Sequence, residues 1–138
     1  MIKDITSKSD TIKFATNFAK KISCGTPILL YGTLGCGKTF FTSHLIKALT
    51  KSDIEVPSPT FSIVQNYLCP LGEISHYDLY RIKSASELYE LDIDNALKNN
   101  ITIIEWPEII EDYIKENFNP ICIYFSYKND KRTLEIKE

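Results

Sequence analysis

The most constraining feature of the chain is the stretch Gly32-Thr33-Leu34-Gly35-Cys36-Gly37-Lys38-Thr39, which satisfies G-x-x-x-x-G-K-[ST] at every fixed position. Before it, Pro27 admits the apolar run Ile28-Leu29-Leu30-Tyr31, a short buried strand. After it, apolar residues recur at helical spacing from about Lys38 to Leu49. Strand, glycine loop and helix in this order make a phosphate-binding P-loop. Successive backbone N–H groups point inward, the helix N-terminus adds its dipole, and a bulky side chain at the glycines would block close approach. Thr33, Leu34, Gly35, Cys36 and Gly37 form the cradle, with Phe40 in the first turn of the helix. Lys38 is expected to reach the β and γ phosphates of a nucleotide, and the Thr39 hydroxyl to ligate magnesium. Cys36, at a helix N-terminus beside a lysine, is expected to be the most reactive of the four thiols and to be protected by nucleotide.

A nucleotide site with magnesium needs a further carboxylate beside the loop, usually at the end of a neighbouring buried strand. Ile101-Thr102-Ile103-Ile104 supplies the strand and Glu105 ends it. Parallel strands share their C-terminal edge, so Glu105 is expected to face Thr39 across the metal. Trp106 reads equally as a core aromatic or as a residue near the nucleotide or a partner surface. Asp78, in His76-Tyr77-Asp78-Leu79-Tyr80-Arg81, is a lone acid in a strand, and pattern alone leaves it between surface and chemistry. Ser58-Pro59-Thr60-Phe61 reads as a turn opening a strand, whose hydroxyls cap the turn or touch a γ phosphate.

The remaining texture fits an α/β chain. Ser9 or Asp10 caps a helix in which Ile12, Ala15, Phe18, Ala19 and Ile22 share a face, ending before Cys24-Gly25. From Phe61 to Tyr80, two strands meet at a Pro70/Gly72 turn as an antiparallel hairpin. Ser84 and Glu87 have capping-box spacing ahead of Leu88, with a second helical piece to about Leu97. Pro107 suits the first turn of a helix carrying Ile109, Ile110, Tyr113 and Ile114. Two closing strands, Ile121 to Tyr127 and Thr133 to Lys137, join at Asn129-Asp130. The expected architecture is a single α/β domain over residues 1–138, with a mainly parallel, P-loop NTPase-like sheet and an added antiparallel hairpin.

Composition excludes several function classes. The longest apolar runs span a few residues, against the roughly 20 that a membrane-crossing helix needs. The N-terminus lacks the pattern of a signal or transit peptide, so cytoplasm is the expected location. Cys24, Cys36, Cys69 and Cys122 form no C-x-x-C pair, which argues against a zinc site, and reduced thiols are expected. The net charge of −2 hides an asymmetry, with +4 over residues 1–69 and −6 over residues 70–138. A pI near 5.7 lacks the electrostatic footprint of an autonomous nucleic-acid binder. The acids Glu87, Glu90, Asp92, Asp94, Glu105, Glu108, Glu111, Asp112 and Glu116 face only Lys98 and Lys115, a balance of −7. They read as solvated helix faces or as a docking surface for a basic partner.

The set GTLGCGKT, VPSPTFSIVQNY, HYDLYR, the Glu87-Leu88 pair and IIEWPE, in this order and spacing, resembles the bacterial TsaE family over roughly residues 9–136. The resemblance implies a small P-loop ATPase of tRNA threonylcarbamoyladenosine biosynthesis. It would work with an ASKHA-fold threonylcarbamoyl transferase subunit and that subunit's paralogue, contacting tRNA only indirectly and being a monomer in isolation. It makes Lys38 the phosphate lysine, Thr39 and Glu105 the magnesium ligands and Asp78 a residue needed for hydrolysis. Thr60 becomes a switch-like residue near the γ phosphate, Trp106 a functional aromatic, Arg132 a basic residue close to the nucleotide and Thr11 a residue near the base. Thr33 and Cys36 depart from the family's usual Asp and Ala at non-glycine positions, and Asp92 stands where glycine is common. Two rivals share the loop. A small-molecule kinase usually carries an arginine-rich lid, whereas only Arg81 and Arg132 occur here, neither in an extended loop able to act as an arginine finger. A nucleotide-sensing module without turnover would dispense with Asp78 and Glu105.

Overall fold

The computed structural model describes residues 1–33, 35–57, 59 and 62–137. In chain order the strands and helices are β1 (Ile2–Asp4), α1 (Lys8–Ala19), β2 (Ile28–Tyr31), α2 (Lys38–Thr50), β3 (Val64–Cys69) and β4 (Gly72–Asp78). There follow α3 (Ser86–Tyr89), α4 (Ile93–Asn99), β5 (Ile101–Glu105), α5 (Glu111–Asn117), β6 (Ile121–Lys128) and β7 (Lys131–Lys137). Among the described residues the strands form one seven-stranded sheet in the order β1-β7-β6-β2-β5-β4-β3. The centre is parallel: β6, β2, β5 and β4 run the same way. Both flanks are antiparallel, β3 on β4 at one side and β7 on β6, then β1 on β7, at the other.

The central strands read as continuous apolar runs because both faces are covered. Every residue of β2 and β5 is buried. One face, through Ile28, Leu30, Ile103 and Ile123, packs against α1 and α2, with Phe18 and Phe41 in the same core. Phe41 sits at the centre of an aromatic cluster, 5.9 Å from Phe14, 6.2 Å from Phe18 and 5.5 Å from Phe125 between ring centroids. Truncating so buried a ring costs about 3–5 kcal/mol. The opposite face, through Leu29, Tyr77 and Ile104, packs against Leu88, Leu97 and Ile114 from α3, α4 and α5.

Several expectations change in detail. The helix cap falls at Ser7, whose hydroxyl accepts from the Asp10 N–H at 3.0 Å, not at Ser9 or Asp10. The apolar periodicity that marks this helix begins only at Ile12, one turn inside it. Strand β1 had no sequence signal: its three residues are all exposed, so no alternation marks it. The helix expected from Pro107 divides into a 3₁₀ turn (Pro107–Ile109) and α5, because Ile110 leaves the helical region at φ −122°, ψ −1°. Of the Ser84/Glu87 capping box, the returning half is present, with the Ser84 and Lys83 N–H groups donating to Glu87 Oε2. Asp92, where glycine was the commoner choice, adopts the left-handed conformation at φ 56° and opens α4 from it. Asp is among the residues that tolerate this region. Asn129 and Asp130 are both left-handed, at φ 52° and 60°, the two-residue turn whose twist suits a hairpin.

Candidate functional site

The P-loop joins β2 to α2 at the C-terminal edge of the parallel strands. Gly37 caps α2 at φ 107°, a conformation unfavourable for residues with a Cβ. The first N–H of the helical ladder is that of Phe41, donating to the Gly37 carbonyl, so the Thr39 and Phe40 N–H groups precede the ladder and face outward along the helix axis. At Gly32, a Cβ would lie 2.8 Å from Cys36 Sγ and 2.9 Å from the Phe125 carbonyl oxygen. The loop is therefore closed inward against β6 and open outward.

Outward lies a cleft of about 540 Å³, lined by the loop and by the ends of β4, β5 and β7. The structure brings Thr33, Gly35, Gly37, Lys38, Thr39, Phe40, Asp78, Glu105, Trp106, Arg132 and Thr11 to this one cleft. Leu34 and Thr60, also candidates, and Ser58 and Phe61 beside Thr60, lie outside the described residues. Register explains the convergence: Asp78 pairs with Glu105 across β4 and β5, and Leu30, two residues before the first loop glycine, also pairs with Glu105.

Three ionisable side chains of the cleft are nearly closed off from water: Lys38 at 5% exposed, Asp78 at 8% and Glu105 at 2%. Burial lowers the Lys38 pKa, opposed by Cys36 and the nearby carboxylates. Burial raises that of Asp78, opposed by the Tyr80 N–H that donates to Oδ1 at 3.0 Å. The Lys38 ammonium donates to the Gly32 carbonyl and stands 3.6 Å from the centre of the Trp106 ring. Trp106 is left-handed at φ 56°, ψ 58°, a conformation that costs a bulky residue about 1–3 kcal/mol, and its ring meets that of Tyr80 at 4.8 Å. Trp106 is partly buried and belongs to neither apolar core, so the core reading gives way to a place on the cleft wall. Glu105 Oε2 lies 2.7 Å from Nε2 of the buried His76.

One expectation fails here. Cys36 turns its side chain away from the cleft and is 1% exposed, and burial pushes its thiol pKa up rather than down. Only its backbone remains available to the cradle, and the activated thiol is withdrawn. Arg132, which the resemblance puts close to the nucleotide, and Arg81 both line the cleft. Arg132 donates from Nε to the Gly35 carbonyl at 3.4 Å and lies over Tyr127, while its backbone holds Ile5 and Thr6. That pairing brings Ile5, Thr6 and Lys8 to the cleft, residues that the motif reading missed because β1 had no signal. Thr11 reaches the wall, yet its hydroxyl donates to the Ile5 and Ser7 carbonyls, at 2.9 and 3.2 Å, and so holds the loop. Arg81, Tyr80 and His76 were also missed, though strand alternation puts His76 on the face of Asp78.

The oxygen set fits a metal that arrives with a nucleotide. Thr39, Asp78 and Glu105 offer oxygen donors in one cleft, and no group of three or more His, Cys, Asp or Glu suited to a metal ion occurs among the described residues. Magnesium commonly takes one or two carboxylates and completes its shell with phosphates and water.

A parallel-centred sheet with a glycine cradle, a buried lysine and strand-end carboxylates on one cleft defines a P-loop nucleotide-binding α/β protein. A family profile described as "Threonylcarbamoyl adenosine biosynthesis protein TsaE" matches residues 5–134. The chain is 45% identical over 135 residues to the tRNA threonylcarbamoyladenosine biosynthesis protein TsaE of Rickettsia prowazekii, covering 96% of this chain and 91% of that one. It is 35% identical over 127 residues to the protein of the same name from Aquifex aeolicus, covering 86% and 91%. In fold it is similar to the crystal structure of YdiB from Bacillus subtilis, with a TM-score of 0.70 at 22% identity over 97% of this chain and 82% of the other. The chain belongs to the TsaE family.

Proposed function

We propose that the protein binds ATP with magnesium and hydrolyses it as a subunit of the complex that installs threonylcarbamoyl on the adenosine next to the anticodon of tRNA. The observation that carries the reading is the meeting of Lys38 and Thr39 from α2, Asp78 from β4 and Glu105 from β5 in the cleft onto which the glycine cradle opens. Backbone N–H groups of the loop and of the first turn of α2 receive the phosphates. Lys38 leaves the Gly32 carbonyl and donates to them. Thr39 and Glu105 hold the metal, which supplies charge neutralisation at the phosphates when bound. Asp78, Tyr80 and Arg81 line the same cleft, where Asp78 accepts a hydrogen bond from the attacking water and orients it.

The partners are an ASKHA-fold catalytic subunit and its paralogue, with tRNA held by them, and the protein works in the cytoplasm. No helix among the described residues is long and apolar enough to cross a membrane. Dependence on partners now rests on the family alone, because the chain's own Arg81 and Arg132 already stand at the cleft. The test is steady-state phosphate release by the isolated protein and by its mixture with the two purified subunits. Slow turnover alone and faster turnover together is the expected result. A fast enzyme indifferent to those subunits would overturn the complex, and phosphate transfer to an added small-molecule acceptor would favour a kinase.

A further inference from the structure

His76 lies on β4 two residues before Asp78 and on the same face. It is 1% exposed and stands outside the set of residues lining the cleft, whereas Glu105 belongs to that set. The pair is short, Nε2 to Oε2 at 2.7 Å, and both members are buried. A carboxylate oxygen accepts, so the ring carries its hydrogen on Nε2. Nδ1 has no hydrogen-bond partner among the described residues, so no second bond competes with Glu105 for the orientation of the ring. We propose that His76 is a positioning residue: its Nε2–H fixes the Glu105 carboxylate at the cleft floor and occupies one oxygen, so that a divalent cation arriving with nucleotide meets a ligand already oriented. The proposal rests on the metal role given to Glu105 above. Without His76 the carboxylate, buried beside Asp78, is free to turn, and orientation must be gained at the moment of binding. Partners of metal ligands act in this way generally, and losing one weakens metal binding about 10- to 100-fold.

Three variants separate positioning from packing. His76→Gln carries an amide N–H near the place of Nε2, His76→Asn carries one too short to reach Glu105, and His76→Leu fills the volume without a donor. Affinity for a fluorescent ATP analogue is titrated in chelator and in saturating magnesium, Mn²⁺ bound with nucleotide is counted by electron paramagnetic resonance, and thermal melting establishes folding. The wild type and His76→Gln should show the same gain in affinity from magnesium. His76→Asn and His76→Leu should lose about tenfold or more of that gain while their affinities in chelator stay near wild type. If His76→Leu does not fold, the Gln and Asn pair decides. Equal magnesium gains in Gln and Asn overturn the proposal, as does a loss in the variants that appears equally in chelator. A wild-type protein whose nucleotide affinity ignores magnesium would refute the metal role of Glu105 itself, and this proposal with it.

Discussion

Lys38→Met keeps most of the side chain's length and removes its charge, and its effect on ATP affinity follows from what the ammonium holds before nucleotide arrives. Two charge-assisted bonds to phosphate oxygens are worth about 1.5–3 kcal/mol each, or about 3–6 kcal/mol together. Binding, however, exchanges contacts. The ammonium gives up the Gly32 carbonyl, a bond of about the same class, and weakens its contact with the Trp106 face, worth about 0.5–2 kcal/mol. The net worth is then about 1 kcal/mol at the midpoints and at most about 4 kcal/mol, which at 1.4 kcal/mol per tenfold is a loss of about 5-fold and at most about 700-fold. The ligand-free variant should nevertheless melt higher. Burial lowers the Lys38 pKa, so at neutral pH the buried ammonium carries a desolvation penalty that Met lacks, and water can reach the half-buried Gly32. Trp106 is the only tryptophan of the chain, and its emission should change when the ammonium 3.6 Å from its ring moves to the phosphates. The assay is an ATP titration followed by that emission and by displacement of a fluorescent analogue, with melting curves on both proteins. Unchanged affinity in a folded Lys38→Met would refute the phosphate role of the lysine. A loss far beyond about 1000-fold would refute the exchange argument.

Asp78→Asn should stabilise the ligand-free protein at neutral pH and slow phosphate release. Burial raises the Asp78 pKa, so the folded state favours the protonated acid, and stability is lost as pH rises from the ordinary carboxylate range through the raised value. Melting at pH 4 and pH 7.5 should therefore show a gain from Asn that shrinks in acid. Gly32→Ala should lower stability by about 1–3 kcal/mol in denaturant titrations, since its Cβ meets Cys36 Sγ and the Phe125 carbonyl at φ +141°. Cys36→Ala should not restore it, because the Phe125 oxygen belongs to the backbone. Alkylation followed by mass spectrometry should label exposed Cys24 first and Cys36 no faster than buried Cys122, with or without nucleotide.

What could be read from sequence was what a short window contains. The loop glycines, the buried run before them and the acid ending Ile101–Glu105 are local patterns, and they placed the two central strands and the site's edge. The β3–β4 turn and the Asn129-Asp130 turn were legible for the same reason. What stayed hidden depends on register between distant segments. Pattern alone left Asp78 between surface and chemistry, and its pairing with Glu105 puts it on the cleft. The N-terminal residues reach the site only because Ile5 donates to the Arg132 carbonyl at 2.8 Å across 127 positions of sequence. Cys36 was misread because a position in a loop does not say which way a side chain turns. The acidic stretch is partly committed internally. Glu105 is buried in the site, Glu111 and Asp94 accept from the Tyr31 and Tyr113 hydroxyls, and Glu87 takes backbone N–H groups. Of these only Glu105 is buried, and the other three keep some surface.

The electrostatics of the cleft run against those of the chain. Lys8, Lys38, Arg81 and Arg132 line it against Asp78 and Glu105, four positive charges to two negative, a local balance of +2 in a protein of net charge −2. At physiological ionic strength exposed charges are screened beyond about 8 Å, so a polyphosphate at the cleft responds to these side chains rather than to the acids farther off. The two carboxylates that reduce the balance are the ones placed in the hydrolytic and metal-binding roles, and both are buried. Their exposure in water would have been cheaper, and the fold keeps them at the end of two parallel strands, next to an ammonium and an imidazole. Stability is given up at Asp78, Lys38 and the left-handed Trp106, all within one cleft, while the neighbouring strands are filled with isoleucine and leucine. Buried charge gathered at one cleft, beside strands filled with isoleucine and leucine, is what a binding site requires and a structural loop does not.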